Sequence, residues 1–138
     1  MKVAFAVVAW LFVAAIVVQV FLAGVGLFVG GFDTFSYHRA FGWLLHLGPL
    51  VVILFAWGAH PGRVTMWLSG LLVLLVGIQP FLPAMRDDLP FVAALHPVNA
   101  LAIFAVGLVI ARRATALARH ATDEPATASA LIPEAPRS

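Results

Sequence analysis

VAFAVVAWLFVAAIVVQVFLAGVGLFV, residues 3 to 29, is uncharged from end to end and holds one strongly polar side chain, Gln19. A helix needs roughly 20 apolar residues to cross a bilayer core of about 30 Å, and this run is longer than that. Lys2 ahead of it imitates a secretory signal. The apolar run far exceeds the ~7–15 residues of a signal's apolar core, so it reads as a retained helix. Three further runs follow, at about 37–59, 64–84 and 91–111. The pattern predicts an all-α integral membrane protein, with a four-helix bundle filling residues 1–113.

The composition agrees. The 138 residues are 63% hydrophobic and 10% charged, with a mean hydropathy of +1.05, outside the range of soluble domains. The net charge of +2 does not argue for nucleic acid, because the few basic residues stand at helix ends. With no cysteine, disulfides, thiolate ligands, iron–sulfur clusters and covalent haem attachment are excluded. No phosphate-binding loop, activated serine or carboxylate pair is present, so the chain is not expected to be an enzyme on its own.

Turn signals divide the runs. GVGLFVGGFD closes the first, His60-Pro61-Gly62 separates the second from the third, and MRDDLP leads into the fourth, with Pro90 suited to a first helical turn. Gly26-x-x-x-Gly30 has the spacing of close helix packing in membranes. The fourth run closes at Arg112-Arg113. Residues 114–138 are expected to be a cytoplasmic tail, disordered in its Pro-, Ala-, Ser- and Thr-rich part from Ala121 to Ser138. Lys2, Arg63, Arg112, Arg113 and Arg119 collect on one side of the membrane against Arg39 and Arg86 on the other. That bias puts both termini in the cytoplasm and the chain in the cell membrane.

The polar residues repeat. Gln19-Val-Phe-Leu in the first run matches Gln79-Pro-Phe-Leu in the third, and each glutamine precedes a histidine, His38 or His96, at nearly the same distance. The bundle therefore reads as two parallel helical hairpins related by an axis along the membrane normal. Positions at 0, +4, +7 and +11 share one helix face. After His38 these are Gly42, Leu45 and Pro49, and after His96 they are Ala100, Ile103 and Gly107. Each histidine is thus followed one turn on by a small residue.

Polar groups inside hydrocarbon are costly and usually face the bundle interior with a partner. Two histidines at similar depth, each beside a gap, suit a planar cofactor held between the second and fourth helices. A b-type haem with two neutral imidazole ligands, His38 and His96, fits best. Tyr37 and Arg39 would meet its propionates at the rim, and Gln19 and Gln79 would orient the histidines or the propionates. Gly42 and Ala100 would leave clearance for the ring. His46 lies ~12 Å deeper than His38 and about 80° round the helix. It is the competing ligand, otherwise a structural polar residue.

On these residues a resemblance can be stated. VVQVFLAGVGLF, YHRAFGWLLH and ALHPVNALAIFAVGLVIARRA resemble a family of small uncharacterised four-helix bacterial membrane proteins, over nearly all the chain before the tail. More distantly the chain is similar to one half of haem A synthase, whose halves each offer haem a histidine on the second and fourth helices. The matching positions are His38 in HRAFGWLL and His96 in LHPVNALAIF. Two departures bear on function: this chain has one such half, and Phe35 stands where the catalytic half carries an acidic residue. The resemblance implies haem binding without the oxidative chemistry.

The leading expectation is one haem near the outer face, for electron exchange with a quinone or redox protein partner, or for haem handling. A cofactor-free accessory subunit of a larger membrane complex, or a homo-oligomer, is the alternative, its histidines serving as interhelical hydrogen-bond partners. A third reading is a proton or small-solute path along Gln19, His46 and Gln79.

Overall fold

The computed structural model describes residues 1–29 and 35–130. Its elements are α1 (Lys2–Phe28), α2 (Ser36–Leu45), α3 (Gly48–Ala59), α4 (Arg63–Ile78), α5 (Phe81–Ala84), α6 (Pro90–Ala93) and α7 (Leu95–Ala130). They make four stretches long and apolar enough to cross a membrane: Lys2–Phe28, Ser36–Ala59, Arg63–Ala84 and Pro90–Ala121. The protein is an all-α, four-helix membrane bundle. Gly30, the second glycine of the close-packing spacing, and residues 31–34 of the first loop lie outside the described residues.

The second and fourth spans are each broken once. Leu45 ends α2 four residues before Pro49, and Ala93 ends α6 four residues before Pro97. Proline offers no N–H to the carbonyl four residues earlier, so each break falls where the backbone ladder loses a bond. The third span breaks between Ile78 and Phe81, beside Pro80 and Pro83. The hydropathy pattern predicts continuous helices here, and the prolines interrupt them.

At the opposite end of the bundle, His60 caps α3 in the left-handed conformation at φ 52°, with its N–H donating to Ala56 and Trp57. Gly62 follows at φ 84°, so the chain reverses within His60-Pro61-Gly62.

α1 packs against α7, α3 and α2, while α4 packs against α3 and α7, which closes a four-membered ring. The buried core lies toward the end holding the N-terminus. It is built from Phe5, Ala9, Phe12 and Ile16 of α1, Val52, Ala56 and Ala59 of α3, Leu72 and Val76 of α4, and Ile103, Ile110, Ala111 and Ala114 of α7. In lipid such a seam is held by close van der Waals contact, and the alanines let the backbones approach. Beyond Ile16 and Val76, at the other end, polar groups replace this apolar core.

The fourth helix does not close at Arg112-Arg113, where the sequence reading ends it; α7 runs on to Ala130. ATALARHA, residues 114–121, contains mostly good helix formers. Ala114 is buried in the core, and Leu117 and Ala118 pack against it. Trp10 Nε1 also donates to Thr115 Oγ1 at 3.0 Å. Residues 131–138 of the expected tail lie outside the described residues.

Candidate functional site: two glutamine–histidine clasps

Gln19 lies on α1 and His38 on the first turn of α2, across the loop that joins them. Gln19 Nε2 donates to the His38 carbonyl at 2.9 Å, and His38 Nδ1 donates to the Gln19 carbonyl at 3.1 Å. The second hairpin repeats this grip. Gln79 Nε2 donates to the His96 carbonyl at 3.0 Å, and His96 Nδ1 donates to the Gln79 carbonyl at 3.2 Å. Two sites that share one bonding scheme, one per hairpin, are what a parallel internal repeat produces.

The clasps bring their two imidazole rings together. The His38 and His96 rings lie 6.2 Å apart, centre to centre, with their planes 69° to each other. Because a carbonyl oxygen only accepts, both imidazoles carry their proton on Nδ1 and leave Nε2 as the lone-pair nitrogen. This is the tautomer a metal-binding histidine adopts when a backbone carbonyl fixes its outer nitrogen. The donor chemistry therefore fits a bis-imidazole ligand pair. Among the described residues no group of three or more His, Cys, Asp or Glu side chains gathers as a metal site.

The space beside His38 differs from the expectation. A Cβ on Gly42 would come within 2.8 Å of Gln19 Nε2. The gap one turn from His38 is thus taken up by the amide of its own clasp, and that amide also donates to the His38 Nε2 lone pair at 3.3 Å. Ring clearance there requires the Gln19 side chain to swing aside. Ala100, the corresponding residue after His96, is half-buried. Tyr37 and Arg39 are exposed at the rim, and Arg86 pairs with Asp87 at 3.5 Å in the exposed loop. His46 does not join the His38–His96 pair: its Nδ1 donates to the Gly42 carbonyl at 2.6 Å, and its ring tilts against Trp43 at 5.4 Å.

Four polar contacts lie outside the repeated glutamine–histidine pattern. Asn99 Nδ2 donates to the Leu75 carbonyl at 2.8 Å and to Gln79 Oε1 at 2.5 Å. Its signal was available: an amide in an apolar span, one turn after His96, carries the same desolvation cost as the glutamines. Near the opposite end, Arg113 Nε donates to the buried Thr65 Oγ1 at 2.8 Å, and Ser69 Oγ donates to the Thr65 carbonyl at 2.9 Å. Hydroxyls of this kind hide inside helices by bonding back to their own backbone, so composition does not single them out.

No match was found among curated proteins or among solved structures. A family model described as a family of unknown function, DUF6220, matches residues 19–85. That stretch begins on the glutamine of the first clasp, takes in His38 and Gln79, and stops short of His96. The comparisons support a likeness to a small family of unknown function, and nothing in them connects the chain with haem A synthase.

Proposed function

We propose that this is a multi-pass membrane protein that binds one b-type haem through His38 and His96, for electron exchange or haem handling. The observation that carries this reading is the 6.2 Å between the two ring centres. Two imidazole nitrogens, each about 2 Å from one metal, put their ring centres roughly 6 Å apart. Gln19 and Gln79 set the tautomer and orientation of the ligands through their backbone carbonyls. Tyr37 and Arg39 stand at the rim, where propionates would be received, and Ala100 flanks His96. Bound haem would supply one-electron chemistry, and His38 and His96 would hold it in an apolar surround. On the charge bias already described, both termini are cytoplasmic, the clasps lie in the outer half of the cell membrane, and the redox partner is a quinone or a protein.

The test is a reduced-minus-oxidised spectrum of detergent-purified protein after haem supplementation. The reading expects a Soret and α-band signal that disappears in the His38→Ala plus His96→Ala double variant. No signal, or one unchanged in that variant, overturns it.

A second reading, a cofactor-free accessory subunit, draws on the Gly42 contact: the clasps already satisfy the histidines' Nδ1 protons, and Gln19 fills the space beside His38. Co-purification with a stoichiometric partner and no chromophore would favour it.

A further inference from the structure

The two clasps are not equivalent, and the difference leaves a binding requirement in the first hairpin. Gln79 Oε1 accepts from Asn99, which stands three residues after His96. The residue three after His38 is Phe41, which has no donor to offer. Accordingly Gln19 Oε1 is buried with no hydrogen-bond partner. It cannot be satisfied by turning the amide over, because Nε2 is needed at the His38 carbonyl. His46 Nε2 is likewise buried and unpartnered. Its Nδ1 proton is committed to the Gly42 carbonyl, so Nε2 presents a lone pair. Both orphans are therefore acceptors, and both sit around Gly42: Gln19's amide occupies its Cβ position and His46 grips its carbonyl. Among the described residues these are the buried side-chain polar atoms without a partner.

We infer that the first hairpin binds a small hydroxylic molecule between α1 and α2, whose O–H groups donate to Gln19 Oε1 and His46 Nε2. Two acceptors facing no donor among the described residues call for a guest that brings donors, one O–H for each. A cation is not the natural guest, because among the described residues no carboxylate stands at these atoms. The chemistry is shared by an internal water and by a lipid-phase diol or hydroquinone. The site shares Gln19 with the first clasp, so it exists while Gln19 holds the His38 carbonyl, and it needs no haem.

The experiment uses haem-free, full-length protein in lipid nanodiscs with 15N-labelled histidine, reading the His46 Nε2 resonance, assigned by its loss in a His46→Phe variant. Tetramethylhydroquinone is titrated, with its dimethyl ether as the donor-free control, and water contact is read by magnetisation transfer to the His46 ring protons. Saturable change with the hydroquinone and none with the ether identifies a lipid-phase hydroxyl. Water transfer to His46 with no hydroquinone response identifies an internal water; either result supports the site. The Phe41→Asn variant supplies the donor that Asn99 supplies in the second hairpin. It is expected to weaken hydroquinone binding at least tenfold, or to abolish the water transfer, while Phe41→Leu leaves both unchanged. A free-lone-pair resonance under every condition in the unaltered protein overturns the proposal, as does a Phe41→Asn protein whose His46 responds as before.

Discussion

Gln79 and His96 each donate from the side chain to the other's backbone carbonyl, at 3.0 and 3.2 Å. The bond from His96 has a reason that the first hairpin lacks. Pro83 stands four residues after Gln79 and has no N–H, so the Gln79 carbonyl has no helical donor. In the continuous α1, Ala23 stands four residues after Gln19 and offers one. His96 therefore supplies a missing backbone bond, whereas His38 adds a second one.

That asymmetry makes the histidines unequal in stability as measured without cofactor. His96→Phe strands a carbonyl and is expected to cost about 1–2 kcal/mol, while His38→Phe loses a cross-helix bond of roughly 0.6 kcal/mol. SDS-titrated unfolding in mixed micelles measures both. Equal costs would show that Pro83 does not set the difference.

Gly42 gives a sharper case, because its neighbour is the tip of a flexible side chain. Alanine there displaces the Gln19 amide, 2.8 Å from the new Cβ, and breaks the bond to the His38 carbonyl, costing about 1 kcal/mol. In a Gln19→Ala background the obstacle is gone. The same Gly42→Ala change should then stabilise, by up to ~1 kcal/mol of helix propensity. The predicted reversal of sign between the two backgrounds is read from the same unfolding titration.

What the sequence makes legible follows from cost. A glutamine or histidine in an apolar span must find a partner, and Gln19, His38, Gln79 and His96 stand out for that reason and do pair within hairpins. Span number and placement follow from length and hydropathy alone. The bond scheme is not legible, since nothing in QxFL says that each glutamine uses its side chain on the histidine's backbone. Gly42 was read as empty space, and its space is real, but a side chain from the neighbouring helix reaches it first. The helix beyond Arg113 was missed because ATALARHA lacks strong apolar residues on most positions; its seam is built from Ala114, Leu117 and Ala118, small contacts that a hydropathy window underrates.

Gly48 approaches a neighbour that is harder to move. A Cβ there would meet Phe12 Cδ2 and Cε2 at 2.5 and 2.6 Å, and Phe12 is 5% exposed within the core. Gly48→Ala overpacks that contact and is expected to cost about 1–3 kcal/mol. Adding Phe12→Leu should recover much of the Gly48→Ala increment in a double-mutant cycle. By contrast, Gly70 has nothing within 4 Å of its Cβ position, so Gly70→Ala should be neutral or stabilising, by up to ~1 kcal/mol. A destabilising Gly70→Ala comparable to Gly48→Ala would mean that backbone effects, not the Phe12 contact, govern both.

His60 holds a left-handed backbone, φ 52° and ψ 57°, at the end of α3. A side chain with a Cβ is strained in that conformation by roughly 1–2 kcal/mol, and glycine is not. The exposed imidazole makes no bond among the described residues that offsets this, and the capping bonds to Ala56 and Trp57 come from the backbone N–H, which glycine retains. His60→Gly is therefore expected to stabilise the bundle by about 1 kcal/mol, and His60→Asn by less. His60→Val, branched at Cβ, should destabilise it. Thermal unfolding of the three variants in one detergent gives the order directly. A His60→Gly protein less stable than the parent would show that the imidazole itself holds the reversal at Pro61-Gly62 in place.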